Sequence, residues 1–538
     1  MDTSDNLIIQ TKHSRRIYMI IILAIMVAAL LLRFKGIWFG YPLAVHPDEH
    51  HLVNSALKMI RNNTLHPHTF VYPSLNIYLQ AIAYSVANIY NSIAGYSAGD
   101  IAKIDYYLVG RTVTVLLSVA TIYVTYEIGK RLFNDIVGIL AAFFVCVSHL
   151  HLANSYTITV DSPVAFWSAL SMLMAVLIYK NGEKRFYYIL AGIFAGFAVS
   201  SKYTAVFAIL PMVVAHIYRV KSRSPGGWIN VNLICGLLMG PVAFFCTTPY
   251  ALLDFNNFIK ALVRQRYAYA YGHPGFESIS DSSLLLYLSS LSKTGYGILP
   301  TVFACIGLIW LFIKDYWKAL LIIILPLTML LFIGQYKTFF MRNIVAVIPF
   351  MAVLTGLAIY IIANIITQII KFPLNGKKYN LAMLTIIAPL VFIVSFTSTA
   401  YSVSELKRET LPDTRWIATQ WILENFTDTV KIAREAYTPP VEEYSKKYLV
   451  VRLLYRGRIA LPENHDVVSK QHYAFLSSYA YSRFVDYPEK YPEMAKRYTK
   501  FFNNHELVIE FVPDWEKNGG PVIRIYKINP QASVHQNN

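Results

Sequence analysis

Eleven long runs of apolar residues divide the first 400 residues of the chain, and this pattern constrains the fold more than any other feature. Each run is long enough to be a candidate membrane-crossing helix. Hydrophobic residues make up 55% of the chain and charged residues 15%, whereas soluble globular proteins carry about 25% charged residues. This composition excludes a disordered chain, a fibrous protein and an ordinary water-soluble enzyme. We predict a mainly α, polytopic transmembrane helical bundle whose spans lie at 17–32, 108–128, 136–152, 160–179, 187–200, 203–219, 229–247, 295–313, 317–334, 343–369 and 380–400.

The distribution of basic residues predicts the orientation of this bundle. Basic residues precede the first run and no small-residue cleavage site follows it, which favours a retained anchor with a cytoplasmic N-terminus. Residues 73–93 are also apolar enough to span, but the basic clusters of five later loops would then face outward. We therefore expect 73–93 to form a helix along the outer interface, inside an outer loop of residues 40–106. The transmembrane domain is predicted to cover 1–400, in a bacterial or archaeal cell membrane.

Residues 401–538 have a different composition, with 19 basic and 17 acidic residues. Their pattern predicts a helix capped by Asp413 and ending near Asn425, followed by short β-rich runs and a polar helix near 489–502. We predict a small α/β extracytoplasmic domain here, with strands at 429–433, 448–455, 473–479, 506–511 and 522–528.

The net charge of +17 arises mainly in the first 400 residues, which carry 29 basic and 14 acidic residues. We assign this excess to loops that face the cytoplasm and anionic lipid, and we predict no nucleic-acid partner.

Acidic residues are scarce in the membrane part, and two groups of them are candidates for chemistry. Asp48 and Glu49 lie side by side just beyond the first run, where mutual repulsion would raise one pKa and suit a general base. The alternative is a solvated helix start, favoured by the helix dipole. Asp161 opens the fourth run, and its alternative role is that of a helix N-cap.

Basic residues on the outer side are candidates for binding a phosphate. They lie at the ends of apolar runs, where several together would clamp a phosphate or pyrophosphate. The alternative is that they snorkel to lipid headgroups. The chain lacks the glycine-rich loops that bind nucleotides, so the anion is not predicted to be a nucleotide. The candidates are Arg111, Lys202, Lys337 and Arg342.

Several histidines in the outer loop have some features of a metal site. His46 and His50 are four residues apart, a spacing that zinc sites use on helices, but Pro47 interrupts a regular helix between them. The four cysteines lie in apolar runs without metal-ligand spacing. We predict no metal site and no cofactor, with a divalent cation left open.

These residues together resemble a known class. The Asp48-Glu49 pair after the first span, the segment NSYTITVDSPVAFW (154–167), SSKYTAVF (200–207) and the second-span segment that begins at Gly110-Arg111 are similar to segments of GT-C class membrane glycosyltransferases. These enzymes use polyprenyl-phosphate sugars. The chain most resembles the protein O-mannosyltransferases and the bacterial aminoarabinose-transferase-like proteins. Where mannosyltransferases carry His-Pro-Pro-Leu, this chain has Tyr72-Pro-Ser-Leu75.

The resemblance implies a GT-C-like fold over roughly residues 20–400 and an inverting transfer of a hexosyl or pentosyl unit, mannosyltransferase-like, to an acceptor hydroxyl. It implies that Asp48 is the general base, assisted by Glu49 and Asp161. The outer cations would hold the donor phosphate, and Tyr72 and His51 would contact substrate. The implied partners are a polyprenyl-phosphate sugar, a lipid, glycan or protein acceptor, and membrane lipids.

Two other functions are compatible with the pattern: a membrane transporter or flippase, and a non-catalytic protein that binds polyprenyl lipids. Transporters commonly show repeats and matching broken spans, and neither is evident here. Convergence of Asp48, Asp161, Lys202 and Arg342 on one outer cavity would favour the enzyme.

Overall fold

The computed structural model describes residues 12–95, 105–182, 184–222, 227–272, 282–369, 377–452, 454–455, 458–459 and 468–529. The chain forms two compact units. The first comprises Met1–Ile37, His46–Tyr271 and Ser278–Ser404, and the second comprises Trp38–Val45, Gly272–Glu277 and Glu405–Asn538. Residues 96–104 of the predicted outer loop lie outside the described residues.

The first unit is built almost entirely of helices, as the apolar runs predict. Its helices are α1 (Lys12–Gly36), α2 (Pro47–Arg61), α3 (Leu75–Ile93), α4 (Tyr106–Leu132), α5 (Asp135–Val147), α6 (His149–Ala153), α7 (Asp161–Asn181), α8 (Arg185–Ser201), α9 (Leu210–Ser222), α10 (Val231–Thr247), α11 (Tyr250–Leu253), α12 (Phe255–Tyr271), α13 (Ser283–Ser290), α14 (Ile298–Lys314), α15 (Tyr316–Gly334), α16 (Ile348–Ile369) and α17 (Lys377–Glu409). Short 3₁₀ segments at Tyr203–Ile209 and Met341–Val347 lead into α9 and α16.

Each predicted span coincides with an apolar helix, but fewer than eleven are full-length spans. Among the described residues, seven helices are long and apolar enough to cross a membrane, or eight if the pair Ser283–Gly295 and Ile298–Lys314, bent by 117°, is one span. Three others are shorter: α5 has 13 residues, and α8 and α10 have 17 each. At about 1.5 Å per residue, α5 is shorter than the roughly 30 Å hydrocarbon core. The protein is an integral membrane protein.

The outer-loop segment 73–93 forms a helix, α3, as expected. Among the described residues, α3 is not one of the helices that are long and apolar enough to cross a membrane. It packs with α2, and their shared apolar core contains Leu52, Val53, Ile77 and Tyr84. Three of its polar side chains, Asn76, Gln80 and Asn91, are buried.

Small residues allow two of the shorter helices to pack closely. In α8, Gly192 and Gly196 lie four residues apart, and they face Gly236 and Gly240 of α10. A Cβ atom on Gly192 or Gly196 would clash with a backbone carbonyl of the opposite helix. This is the close approach that small residues permit between membrane helices.

The second unit contains a small mixed sheet with helices on both faces. The strands are β1 (Val430–Arg434), β2 (Tyr448–Arg452), β3 (Leu454–Tyr455), β4 (Arg458–Ile459), β5 (Tyr473–Ser477), β6 (Glu506–Phe511) and β7 (Ile523–Lys527). The order in the main sheet is β2-β1-β5-β7-β6. β1 pairs in parallel with β2 and β5, and β7 pairs antiparallel with β5 and β6. The helices are α18 (Thr414–Asn425), α19 (Ser478–Val485) and α20 (Pro492–Asn504).

Most elements of this α/β unit were predicted from the sequence. The Asp413 side chain accepts a hydrogen bond from the backbone N–H of Arg415 at 2.8 Å, which confirms the predicted N-cap. Some boundaries differ: the predicted strand 473–479 ends at Ser477 and α19 begins at Ser478, the predicted strand 448–455 is divided into β2 and β3, and the helix predicted near 489–502 runs from Pro492 to Asn504.

Candidate active site

Helix α2 places the two adjacent carboxylates in its first turn. Pro47 is the first helical residue, and the ring Nδ1 of His46 accepts a hydrogen bond from the backbone N–H of Asp48 at 3.3 Å. Consecutive residues on an α-helix point in directions about 100° apart. Asp48 and Glu49 therefore face different surroundings.

Glu49 is completely buried and binds Arg111 of α4. Nε and Nη2 of Arg111 donate to the two carboxylate oxygens at 2.8 and 2.7 Å, and the backbone N–H of Ile158 donates to Glu49 Oε1 at 2.9 Å. Arg111 Nη1 also donates to the carbonyl of Ile37 at 2.6 Å. These bonds join α1, α2, α4 and the segment that leads to Asp161.

Asp105 and Asp161 are two other acidic residues that could have paired with Arg111, but the carboxylate that binds it is Glu49. Asp105 instead caps α4, because its side chain accepts from the backbone N–H of Tyr107 at 2.6 Å.

Asp48 belongs to a second group of charges, which we call the four-charge cluster: Asp48, Asp161, Lys202 and Arg342. Arg342 Nη2 lies 3.1 Å from Asp48 Oδ2, and Arg342 Nε lies 3.8 Å from Asp161 Oδ2. Lys202 Nζ donates to Asp161 Oδ1 at 2.6 Å. The structure thus brings together the four residues whose convergence the sequence analysis set as its criterion.

The members of the cluster all lie at helix ends or breaks. Asp161 is the first residue of α7, and Lys202 follows α8 with an extended backbone before the 3₁₀ segment 203–209. Arg342 lies in the 3₁₀ segment that precedes α16. Non-helical backbone at membrane depth is tolerated where it is buried in protein or lines a cavity. Such breaks are therefore suitable places for polar side chains that meet a ligand.

Solvent access differs within the cluster. The side chains of Asp161 and Lys202 are 2% and 9% exposed, whereas those of Asp48 and Arg342 are 15% and 26% exposed. Asp48 and Arg342 therefore form the accessible part of the cluster.

The electrostatics of Asp48 differ from the sequence-based expectation. Burial alone would raise the pKa of Asp48, but Arg342, His46 and Lys202 together with a hydrogen bond from Tyr72 outweigh it and lower this pKa below 3.8. The expectation that repulsion by Glu49 raises the pKa is wrong, because Arg111 neutralises Glu49 and Arg342 faces Asp48.

Two neighbours of Asp48 are neutral at physiological pH. Burial, followed by the negative charge of Asp48, raises the pKa of Tyr72 well above 10, so its hydroxyl remains a donor. Burial lowers the pKa of His46 below 6.5, although the nearby carboxylates oppose this shift.

Two predicted site residues lie apart from the cluster. His51 and Lys337 are both exposed, and within the described residues neither forms a hydrogen bond or ion pair with a cluster member. The roles predicted for them in substrate and phosphate binding stay predictions, as do those of the other site residues.

The sequence analysis missed Asn343 and its tyrosine partners. Asn343 Oδ1 accepts from Lys202 Nζ at 2.7 Å, and Asn343 Nδ2 donates to the Tyr287 hydroxyl at 3.1 Å. The Tyr269 hydroxyl lies 3.4 Å from Asn343 Oδ1. One signal was available, because Asn343 interrupts an apolar run directly after Arg342, and polar residues at membrane depth are commonly functional.

The outer-loop histidines have separate partners. His46 caps α2, His50 Nδ1 lies 2.9 Å from the Tyr107 hydroxyl, and His66 Nε2 lies 3.1 Å from Asp254 Oδ2. Among the described residues, no group of three or more His, Cys, Asp or Glu is placed to hold a metal ion.

Comparisons with known proteins support the fold. A family model described as dolichyl-phosphate-mannose-protein mannosyltransferase matches residues 101–246, about a quarter of the chain. A crystal structure of ArnT from Cupriavidus metallidurans bound to undecaprenyl phosphate matches with a TM-score of 0.56 and 13% identity, covering 96% of this chain and 99% of that chain. No protein among those with curated functions matches.

A second structural match is to the archaeal oligosaccharyltransferase AglB from Archaeoglobus fulgidus, in complex with an inhibitory peptide and a dolichol-phosphate. The TM-score is 0.54 at 14% identity, covering 96% of this chain and 75% of that chain. These likenesses show that the chain has the GT-C fold, as its residues predicted.

Proposed function

We propose that the protein is a membrane glycosyltransferase that moves a sugar from a polyprenyl-phosphate donor to an acceptor hydroxyl. The observation that carries this proposal is the four-charge cluster, in which an accessible carboxylate lies beside an accessible guanidinium at helix breaks of a GT-C fold. A non-catalytic lipid-binding scaffold has no need of a base beside an anion site.

In the proposed reaction, Asp48 accepts the proton of the acceptor hydroxyl, and the resulting oxygen nucleophile attacks the anomeric carbon of the donor. The bond between that carbon and the phosphate oxygen breaks, and its electron pair leaves with the polyprenyl phosphate. Direct displacement of this kind inverts the anomeric centre. Asp48 suits the role better than Glu49, because both oxygens of Glu49 are held by Arg111 and its side chain is 0% exposed.

Arg342 and Lys202 would stabilise the charge that grows on the leaving phosphate. Asp161 orients Lys202 at 2.6 Å, and Tyr72 contacts Asp48 where an acceptor would approach. Arg111 is 1% exposed and fully engaged, so under this proposal it positions α2 and α4 rather than the phosphate. Lys337 and His51 would join the site only through a movement of the substrate or of the surrounding chain.

The nature of the donor is supported by the solved relatives. ArnT is bound to undecaprenyl phosphate in one structure, and AglB is in complex with a dolichol-phosphate in another. We extend this ligand class to the present chain, with a hexose or pentose as the sugar and a lipid, glycan or protein as the acceptor. We also propose that residues 401–538 form a separate domain and that it lies, with the site, on the extracytoplasmic face, while the N-terminus is cytoplasmic.

Donor consumption by the purified protein tests this function. The protein in lipid nanodiscs is mixed with undecaprenyl-phosphate mannose, undecaprenyl-phosphate aminoarabinose or the dolichyl equivalents, plus an envelope extract as acceptor, and released polyprenyl phosphate is measured by mass spectrometry. We expect release with one donor, and release slower by about 10²–10⁴-fold with Asp48→Asn. Asp428→Asn, an exposed Asp-to-Asn change outside the site, is the matched control. Donor binding without release by the wild type would instead indicate a lipid-binding scaffold.

A further inference from the structure

The four-charge cluster is electrically balanced before any donor arrives. Two carboxylates, Asp48 and Asp161, face two cations, Lys202 and Arg342. A donor phosphate adds a negative charge to this group. Since the described part of the cluster holds no surplus cation, a cation must change its partner if the phosphate is to be bound by charge-assisted hydrogen bonds.

Lys202 is poorly placed to change partner. Its Nζ is held at 2.6 Å by Asp161 and at 2.7 Å by Asn343, and its side chain is 9% exposed. Asn343 is fixed in turn by the Tyr287 hydroxyl at 3.1 Å. Moving Lys202 would therefore break a buried network, and leaving such groups unsatisfied costs free energy.

Arg342 is held much more loosely. Its contacts to Asp48 and Asp161 are longer, at 3.1 and 3.8 Å, and its side chain is 26% exposed. Asp161 Oδ2 has no hydrogen-bond partner among the described residues. A guanidinium that turns away from Asp48 therefore still has an acceptor at Asp161, and its five N–H donors can serve a phosphate at the same time.

We propose that Arg342 exchanges Asp48 for the donor phosphate, so that the base is released only when the donor is bound. The proposal rests on the proposed function. Without donor, Arg342 keeps Asp48 as a weak base. With donor, the guanidinium moves to the phosphate, and Asp48 loses a cation and gains an anionic neighbour.

The electrostatic consequence has a definite sign. An adjacent cation lowers the pKa of a carboxyl group by about 1–3 units, and an adjacent anion raises it. The pKa of Asp48 lies below 3.8 in the free protein, so donor binding raises it toward the range where general bases work well. Lys202 stays anchored, Tyr72 stays protonated and Glu49 keeps its ion pair with Arg111. His46 is a second titratable neighbour of Asp48, and Asp48→Asn retains it, so this variant measures the share of any proton uptake that belongs to His46. The groups around Asp48 are His46 and Glu49 from α2, Arg342 from the 3₁₀ segment, Lys202 after α8, Asp161 from α7, Tyr72 from the outer loop, Tyr269 from α12 and Arg111 from α4.

The exchange also returns Arg342 and Asp48 to their starting state after each turnover. After transfer, Asp48 carries the proton of the acceptor and Arg342 is bound to polyprenyl phosphate. When this product leaves, Arg342 returns to Asp48, which lowers the pKa of the carboxyl group and expels the proton to water. No oxidant or further reactant is needed, and the proton count balances over the cycle.

Proton uptake on donor binding tests the exchange without any turnover. The probe is undecaprenyl methyl phosphate, a phosphodiester that keeps one negative charge from mildly acidic to mildly alkaline pH and carries no sugar. Its binding to the full-length protein in nanodiscs is measured by titration calorimetry in two buffers of different ionisation enthalpy, at several pH values from about 4 to about 7, because an adjacent anion raises the pKa of a carboxyl group. We expect wild type to take up protons in part of this range and Asp48→Asn to take up clearly fewer, the difference being the share of Asp48.

The pH profile of turnover gives a second readout. The kcat/KM profile reports the free enzyme and the kcat profile reports the donor complex. For wild type we expect the acid limb of kcat to lie about 1–3 pH units above that of kcat/KM. In Arg342→Met the separation of the two limbs should shrink, because Asp48 no longer has a cation to exchange and only the anionic donor still raises its pKa.

The outcomes separate the exchange from the function on which it rests. A wild type that binds the probe and turns over donor, yet takes up no more protons than Asp48→Asn and shows coincident acid limbs, retains the proposed function and overturns the exchange. A wild type that neither binds the probe nor consumes any donor overturns both.

Discussion

Asp48 and Glu49 are neighbours in the sequence, yet they occupy opposite environments. Glu49 accepts three hydrogen bonds, is 0% exposed and pairs with an arginine that is 1% exposed. Asp48 shares an accessible arginine with Asp161 and remains 15% exposed. One Asp-Glu pair thus combines two environments: the glutamate holds the helix through a buried ion pair, and the aspartate, under the proposed function, faces the reaction.

A third carboxyl group extends this comparison into the second unit. Glu435 follows β1, is 1% exposed and accepts a hydrogen bond from the Tyr498 hydroxyl. It forms no ion pair within the described residues, and burial raises its pKa to about 8. Glu49 is thus buried in an ion pair with Arg111, whereas Glu435 is buried without an ion pair among the described residues and is protonated at neutral pH.

The largest expected effect comes from breaking the buried ion pair between Glu49 and Arg111. Glu49→Gln or Arg111→Met leaves the other partner charged and buried, a situation that costs about 3–5 kcal/mol. We expect either variant to lower the free energy of unfolding by about that amount, measured by SDS-induced unfolding of the purified protein. Full stability in both variants would contradict the structural role of this pair.

Removing the Asp48 carboxylate should lower turnover and leave the stability of the protein unchanged. Asp48→Asn keeps the shape of the side chain and removes its basicity, so turnover should fall by about 10²–10⁴-fold while the protein stays folded and binds donor. The measured turnover should therefore fall while the measured donor affinity stays unchanged. Unchanged turnover would transfer the role of base to Asp161 or Glu49.

The two cations of the cluster should show an intermediate effect. Losing a charge-assisted hydrogen bond costs about 1.5–3 kcal/mol, so Lys202→Met and Arg342→Met should each reduce turnover by roughly 10- to 150-fold. Lys202→Met should also lower stability, because Asp161 and Asn343 lose their partner. Normal donor consumption by both variants would place the phosphate elsewhere.

A separate prediction concerns Glu435 and depends on pH. The folded pKa of about 8 lies above the ordinary value of 4.5, so protonated Glu435 favours the folded state at low pH, and this contribution is lost as the pH rises from about 4.5 to 8. In Glu435→Gln the midpoint temperature of thermal unfolding should therefore change less between these two pH values than it does in the wild type. An unchanged pH dependence would contradict the assignment.

Much of the fold could be predicted because burial in lipid leaves a local signal. The apolar runs predicted every described helix that is a candidate span, and β-rich runs predicted the five strands of the main sheet in the second unit, but not β4. The length of α5 and the start of α19 at Ser478 could not be predicted in the same way, because helix ends inside a packed bundle depend on tertiary contacts.

The candidate site could likewise be predicted only in part. The residues of the four-charge cluster could be selected because acidic residues are scarce in the membrane part, basic residues on the predicted outer side are few, and their segments resemble those of GT-C enzymes. The pairing of Glu49 with Arg111 joins residues 62 positions apart, and that of Lys202 with Asn343 joins residues 141 positions apart. Such contacts have no periodicity within a single sequence, so only the folded structure reveals which charges are held and which are accessible.

The most direct test of the central claim is mass spectrometry of cell-envelope glycans from cells that lack this protein and are complemented with wild type or with Asp48→Asn at equal membrane abundance. The account predicts that a glycan modification is present with wild type and is absent or strongly reduced with Asp48→Asn, as it is in cells without the protein. Identical envelope glycans in all three strains, or full restoration by Asp48→Asn, would contradict it.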